Sequence, residues 1–154
     1  MSERVKLQVY TDGASSPNGN GGYAGIIIHN DKIVKRVCGS EDTTTNNRME
    51  MKAVIQTIRV IKEPIYDIEV FTDSQYVQKG IEEWIHNWKR NGWVTKEWKT
   101  NVSKPVKNKD LWIELDNFNT LHNIKWNWVR GHNGNHYNEI VDKLAVKSKE
   151  VLKD

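Results

Sequence analysis

The chain has 154 residues, a formal net charge of +3 and a single cysteine. Such a length is expected to form one domain, residues 1–154, with a core large enough to fold alone; no apolar run reaches the roughly 18 residues of a membrane span, and no signal peptide is expected before the strand-like alternation that begins almost at once. A lone Cys38 cannot form an internal disulfide and fits a reducing, cytoplasmic setting, and no Cys/His set has the spacing of a zinc site.

Val5, Leu7, Val9 and Thr11 alternate with polar partners, which predicts a strand ending at Asp12. Ser15 to Gly22 reads as a loop, Tyr23 to His29 and Lys32 to Cys38 as two further strands, with Asn30-Asp31 as the hairpin turn between them. Thr43 to Asn47 offers capping side chains to a helix whose stripe is Met51, Val54, Ile55, Ile58 and Ile61, closed by Pro64. Ile68 to Thr72 is a short fourth strand that ends at Asp73. Ser74 to Arg90 reads as a helix broken near Gly80, Asn91 to Lys109 as an exposed loop, and Asp110 to Leu121 as a helix. Ile124 to Val129 is a fifth strand. After a loop from Gly131 to Tyr137, a last helix runs from Asn138 to Leu152 with Val141, Leu144, Ala145, Ser148 and Leu152 inward. The order βββαβααβα implies an α/β fold: three strands joined by short turns are antiparallel, and two later strands reached through helices are parallel to the first.

The mild net charge is unevenly placed. Between Trp84 and Lys109 stand Lys89, Arg90, Lys96, Lys99, Lys104, Lys107 and Lys109 against Glu97 alone. This +6 segment leaves the rest of the chain at −3, and it also holds Trp84, Trp88, Trp93 and Trp98. Cations interleaved with flat rings suit phosphates, sugars and bases. The same cations are also compatible with a solvated face, and Trp84 and Trp88, at i,i+4, with a packing stripe. Trp84 is assigned to the substrate side and Trp88 to packing, and Trp112, Trp126 and Trp128 to the core.

Four carboxylates lie in separate stretches: Asp12, Glu50, Asp73 and Asp142. Asp12 and Asp73 each follow a Thr at the carboxyl end of a strand, the edge where open α/β sheets place their sites. Singly, either Asp is equally well a turn or cap residue, and Glu50 a solvated helix residue. Together they would repel one another, and a hard dication such as Mg2+ relieves that repulsion with oxygen ligands. Two such ions about 4 Å apart stabilise the attacking and leaving oxygens of a phosphodiester.

At these residues the chain resembles the type 1 ribonuclease H family, in its bacterial-like form with a basic protrusion. The resemblance is carried by Thr11-Asp12-Gly13, Thr44-Thr45-Asn46-Asn47-Arg48-Met49-Glu50, Thr72-Asp73-Ser74-Gln75-Tyr76-Val77, Trp84 to Lys89, Pro105 to Asn108, Asp110-Leu111-Trp112 and Trp128-Val129-Arg130-Gly131-His132, with Asn138 and Asp142 following in order. It implies a ribonuclease H-like fold with a mixed five-stranded sheet flanked by helices. It also implies an endonuclease that cuts the RNA strand of an RNA/DNA hybrid and leaves 5′-phosphate and 3′-hydroxyl ends; a monomer is the plain default. Asp12, Glu50, Asp73 and Asp142 match the metal-binding carboxylates, served by two Mg2+ ions that Mn2+ can replace. His132 matches a loop histidine that aids proton handling or product release. Thr45, Asn46, Gln75, Trp84, Lys89, Arg90 and Asn138 match the substrate side. The loop Ser15 to Asn20 is reordered against the family pattern, and the stretch from Trp93 to Pro105 is longer. The alternative from another class is a catalytically silent hybrid-binding module, which would use the basic patch and leave the acids idle.

Overall fold

The structure, a computed structural model, describes residues 4–96, 102–129 and 135–151. β1 (Val5–Ser15), β2 (Gly21–His29) and β3 (Lys32–Glu41) form an antiparallel meander. β4 (Tyr66–Thr72) pairs parallel with β1, and β7 (Asn123–Trp128) pairs parallel with β4. Together they make a central five-stranded sheet of order β3-β2-β1-β4-β7. The mixed sheet of three antiparallel and two further parallel strands is the expected architecture. Asn30 and Asp31 both hold positive φ, 52° and 62°, the backbone a two-residue hairpin turn demands.

Alternation along the strands divides the core in two. Leu7, Val9, Ile27, Ile68 and Val70 point to one face, covered by α1 (Asn46–Arg59) and α4 (Lys109–Leu121). Tyr10, Ile26 and Ile28 point to the other, covered by α5 (His136–Glu150) through Val141. Tyr10 stacks on Phe71 at 4.6 Å on that second face.

Several elements differ from the expectation. β1 continues through Asp12 to Ser15, because Gly13, Ala14 and Ser15 find ladder partners in β2. α1 ends at Arg59 with Val60 as its C-cap, short of Pro64. Leu144 is only partly buried, and Leu152 lies outside the described residues. The stretch expected to be loop from Asn91 to Lys109 contains a small antiparallel hairpin, β5 (Val94–Lys96) with β6 (Ser103–Pro105). Its base is fixed: Trp93 N donates to Trp88 O at 2.7 Å, Val106 N donates to Trp93 O at 3.0 Å, and Val106 is buried.

The expected break near Gly80 is instead a change of pitch. α2 (Gln75–Lys79) passes into a π-helical turn, Gly80–Trp84, and then into α3 (Ile85–Arg90). The fully buried Trp112 ring of α4 packs against the start of this turn: a Cβ on residue 80 would stand 1.8 Å from Trp112 Cη2. Only a residue without Cβ admits that ring. Gly80→Ala is expected to lower stability by roughly 1–3 kcal/mol through overpacking; urea denaturation at neutral pH is the measurement, and an unchanged midpoint would contradict the contact.

Candidate active site

The backbone delivers two of the carboxylates together. In the parallel pair, Tyr10 of β1 lies opposite Phe71 of β4. Asp12 and Asp73 each follow two residues later and so emerge side by side at the carboxyl edge of the sheet. Thr45 caps α1, accepting from Arg48 N at 3.2 Å. Glu50 comes from the following turn. Helix and strand approach closely there because residue 13 is glycine: a Cβ on it would lie 2.4 Å from the Met49 carbonyl carbon and 2.5 Å from Glu50 N. That approach hangs Glu50 over Asp12.

One carboxylate oxygen from each of Asp12, Glu50 and Asp73 lies within 4.8 Å of the others. Glu50 is buried, against the solvated face that its helical position alone permits, and its Oε1 has no hydrogen-bond partner. Burial, with the Asp73 charge adding to it, pushes the Asp12 carboxyl from an ordinary 3.8 up to about 7, although the Gly13 N–H at 2.9 Å favours the ionised form. Burial and the charges of Asp12 and Asp73 push Glu50 well above its ordinary value too. Asp142, on α5, stands outside that three-acid group but near enough to Asp12 to raise its carboxyl. It comes from the helix on the opposite face of the sheet to α1. An unpartnered buried oxygen amid crowded acids fits a hard divalent cation, which takes oxygen ligands and supplies the missing positive charge.

The other expected residues have the following places. Exposed Asn46 accepts from Ser15 N at 3.1 Å, which ties the start of α1 to the end of β1. The loop after it closes on itself, with Ser16 N donating to Asn20 O at 2.8 Å and Asn20 N to Asn18 Oδ1 at 3.0 Å. Gln75 is exposed in the first turn of α2, just past Asp73. Asn138 is half-buried in the first turn of α5, whose cap is Asn135. Trp84 and Trp88 are both half-buried and belong to one aromatic cluster, Trp84 meeting Tyr76 at 5.6 Å and Trp88 meeting Trp112 at 5.5 Å. Lys89 pairs with Asp116 at 3.1 Å, and Arg90 is exposed and bonded to Asn87. His132 lies outside the described residues, as do Trp98 and Lys99.

Sequence reasoning missed the role of two supports. Arg48 reaches Asp110 with both terminal nitrogens, at 3.1 and 3.0 Å, and Asn108 Oδ1 at 3.2 Å. Asn108 Nδ2 donates in turn to the Tyr76 hydroxyl at 3.1 Å. These bonds tie the first turn of α1 to α4 and α2. The spacing of Arg48, between a capping Thr and an apolar stripe, carried no signal of its distant partners. Trp128, expected in the core, is 40% exposed, and its indole Nε1 donates to Asp73 O at 3.1 Å.

The raised acids have a consequence for pH. A carboxyl whose value is higher in the folded chain contributes stability below its unfolded value, and that contribution is lost as pH rises through the folded value. In the metal-free protein it therefore fades between about pH 4 and about pH 7, the raised value of Asp12. Asp12→Asn is expected to raise the metal-free melting temperature at pH 8 by roughly 4–8 °C, about 2 kcal/mol for a chain of this size. The gain should shrink toward pH 5, and a gain independent of pH would remove the repulsion as its cause.

Comparison with known proteins gives the same picture from outside. The RNase H family description matches residues 4–150. The ribonuclease H of Phenylobacterium zucineum is 51% identical over 143 residues, 92% of this chain and 89% of that protein. The ribonuclease H of Francisella philomiragia is 50% identical over 149 residues, 96% and 93% of the two chains. Among solved structures, LC9-RNase H1, a type 1 RNase H with the type 2 active-site motif, superposes with a TM-score of 0.83 at 30% identity, covering 99% of this chain and 76% of its own. A foamy viral protease-reverse transcriptase in complex with RNA/DNA hybrid shares the fold, with a TM-score of 0.77 at 20% identity over 97% of this chain and 20% of its own. The carboxylates at the sheet edge thus sit in a chain that belongs to the RNase H family.

Proposed function

We propose that this ribonuclease hydrolyses the RNA strand of RNA/DNA hybrids as an endonuclease, using two Mg2+ ions that Mn2+ can replace, and leaves 5′-phosphate and 3′-hydroxyl ends. The observation that carries this reading is the acidic group itself: three carboxylates with an oxygen each within 4.8 Å of the others, one of which, Glu50, has a buried and unpartnered oxygen. Asp12, Glu50, Asp73 and Asp142 would hold the ions. When bound, the ions neutralise the acids and stabilise the charge that develops on the attacking and leaving oxygens of the phosphodiester.

The chain's own residues supply the rest. Glu50 and Asp73, carried by α1 and by the turn after β4, would hold the ions against the scissile phosphate. His132 assists proton movement or product release. Asn46, Gln75 and Asn138 stand at the rim, where sugar edges and their 2′-hydroxyls would be read. Thr45 reaches a DNA phosphate and Trp84 presents a ring to a deoxyribose. Lys89 and Arg90, at the end of α3 and the root of the basic hairpin, neutralise backbone phosphates. The protein acts as a single-domain monomer; among the described residues no helix is long and apolar enough to cross a membrane. Cytoplasmic action is supported by the one cysteine, Cys38, which is free and exposed.

The deciding experiment is cleavage of labelled RNA/DNA hybrid with Mg2+ and with EDTA, beside single-stranded RNA, duplex RNA and duplex DNA. Metal-dependent cutting of the hybrid's RNA strand alone is expected, with Asp12→Asn folded but inactive. Hybrid binding without any cutting would instead support the silent binding module. A second experiment addresses the basic patch. Neutralising Lys89, Arg90, Lys96 and Lys99 together is expected to weaken hybrid binding and flatten its salt slope by roughly 0.7–0.9 for each phosphate no longer neutralised, with the saturated cutting rate largely kept. An unchanged slope would take the patch out of the interface.

A further inference from the structure

Trp128 ends β7 as the partner of Thr72, the last residue of β4. Beyond that pair the ladder offers one more bond, from Val129 N to Thr72 O at 2.9 Å. The turn that follows β4 is then held by side chains. Thr72 Oγ1 accepts from Ser74 N at 3.1 Å, and Ser74 Oγ accepts from Val77 N at 3.1 Å to start α2. The carbonyl of Asp73 lies between these two bonds and accepts from the Trp128 indole at 3.1 Å.

The placement is unusual for a tryptophan. Large aromatic rings contribute most by burial, yet this one stays 40% exposed at a sheet edge while Trp112 is completely buried. What Trp128 does supply is a rigid N–H, on a side chain with two rotatable bonds, aimed at the main chain of a carboxylate residue. The three acids repel one another, so an Asp73 peptide free to rotate would let its carboxylate swing away from Asp12 and Glu50.

We propose that Trp128 is a positioning residue: its indole N–H fixes the Asp73 peptide and thereby sets the affinity of the acidic group for a divalent cation. This rests on the reading of Asp12, Glu50 and Asp73 as the cation site. Groups that orient metal ligands through hydrogen bonds commonly change affinity or activity by about 10–100-fold when removed.

Three variants of the full chain separate the N–H from the bulk of the ring. Trp128→Phe keeps an aromatic ring and loses the donor. Trp128→His loses the benzo ring but keeps a donor, because imidazole Nε2 falls where indole Nε1 lies in the five-membered ring. Trp126→Phe is the control: it removes an indole bond of the same kind, from Trp126 Nε1 to Asn119 Oδ1 at 2.9 Å, outside the acidic group. Mg2+ binding is measured by titration calorimetry without nucleic acid, and the Mg2+-induced rise in melting temperature is recorded for each protein. Trp128→Phe is expected to bind Mg2+ roughly tenfold more weakly, with Trp128→His and Trp126→Phe close to the parent. Parental affinity in Trp128→Phe, or equal weakening in Trp128→His, would overturn the proposal. A parent that binds no Mg2+ would overturn the cation-site reading itself, and this inference with it.

Discussion

Repulsion among carboxylates is the constraint around which this molecule is organised. Three acids with oxygens within 4.8 Å of one another would relax apart on a flexible backbone. They are held by elements that cannot easily move: two adjacent strands in parallel register, and a helix pressed onto the first of them at Gly13. The fourth acid arrives from α5, across the sheet. Bringing charge in from both faces requires both halves of the core to be complete, so packing remote from the acids still bears on their geometry. Burial first, and the neighbouring carboxylate charges after it, raise the values of Asp12 and Glu50. A cation entering the site must displace the protons that these raised acids hold, which couples its binding to pH.

The basic protrusion follows the opposite logic. It needs no close approach of like charges, only a firm base and an exposed, cationic surface. Trp88, Trp93 and Trp112 form that base, with rings 5.5 to 6.4 Å apart, and the hairpin is bonded to it through Trp93 and Val106. Lys89 is partly engaged by Asp116, a solvent-accessible pair of the sort that adds little stability and can yield to a phosphate. The aromatic residues of this region therefore serve mainly as an anchor, with Trp84 at its outer margin.

Much of this is legible in the residues themselves. Period-two alternation locates β1 and β4, and the Thr-Asp ending of each is enough to place two acids at one edge. The capping run before Asn46 locates the helix that carries Glu50. What stays hidden depends on contacts between distant segments. Nothing around Gly80 announces the Trp112 ring, so a glycine read as a helix break is in fact a clearance. Nothing around Trp128 announces the Asp73 carbonyl, so an aromatic assigned to the core is half at the surface. The hairpin within residues 94–105 has strands too short for alternation to register, and its existence depends on Trp93 and Val106 packing elsewhere. Glu50 alone looks like a solvated residue, because its burial is imposed by Gly13 on another element.

The π-helical turn has a geometric consequence of its own. Such a turn accommodates one residue more than an α-helical turn, and each α-helical residue advances the helix by about 100°. Everything beyond Trp84 is thus rotated relative to a continuous α-helix that began at Gln75. The clearance that Gly80 gives to Trp112 therefore also acts as an angular offset between two functional surfaces. A core glycine and the turn that begins at it thus bear on how α2 and α3 are set relative to each other.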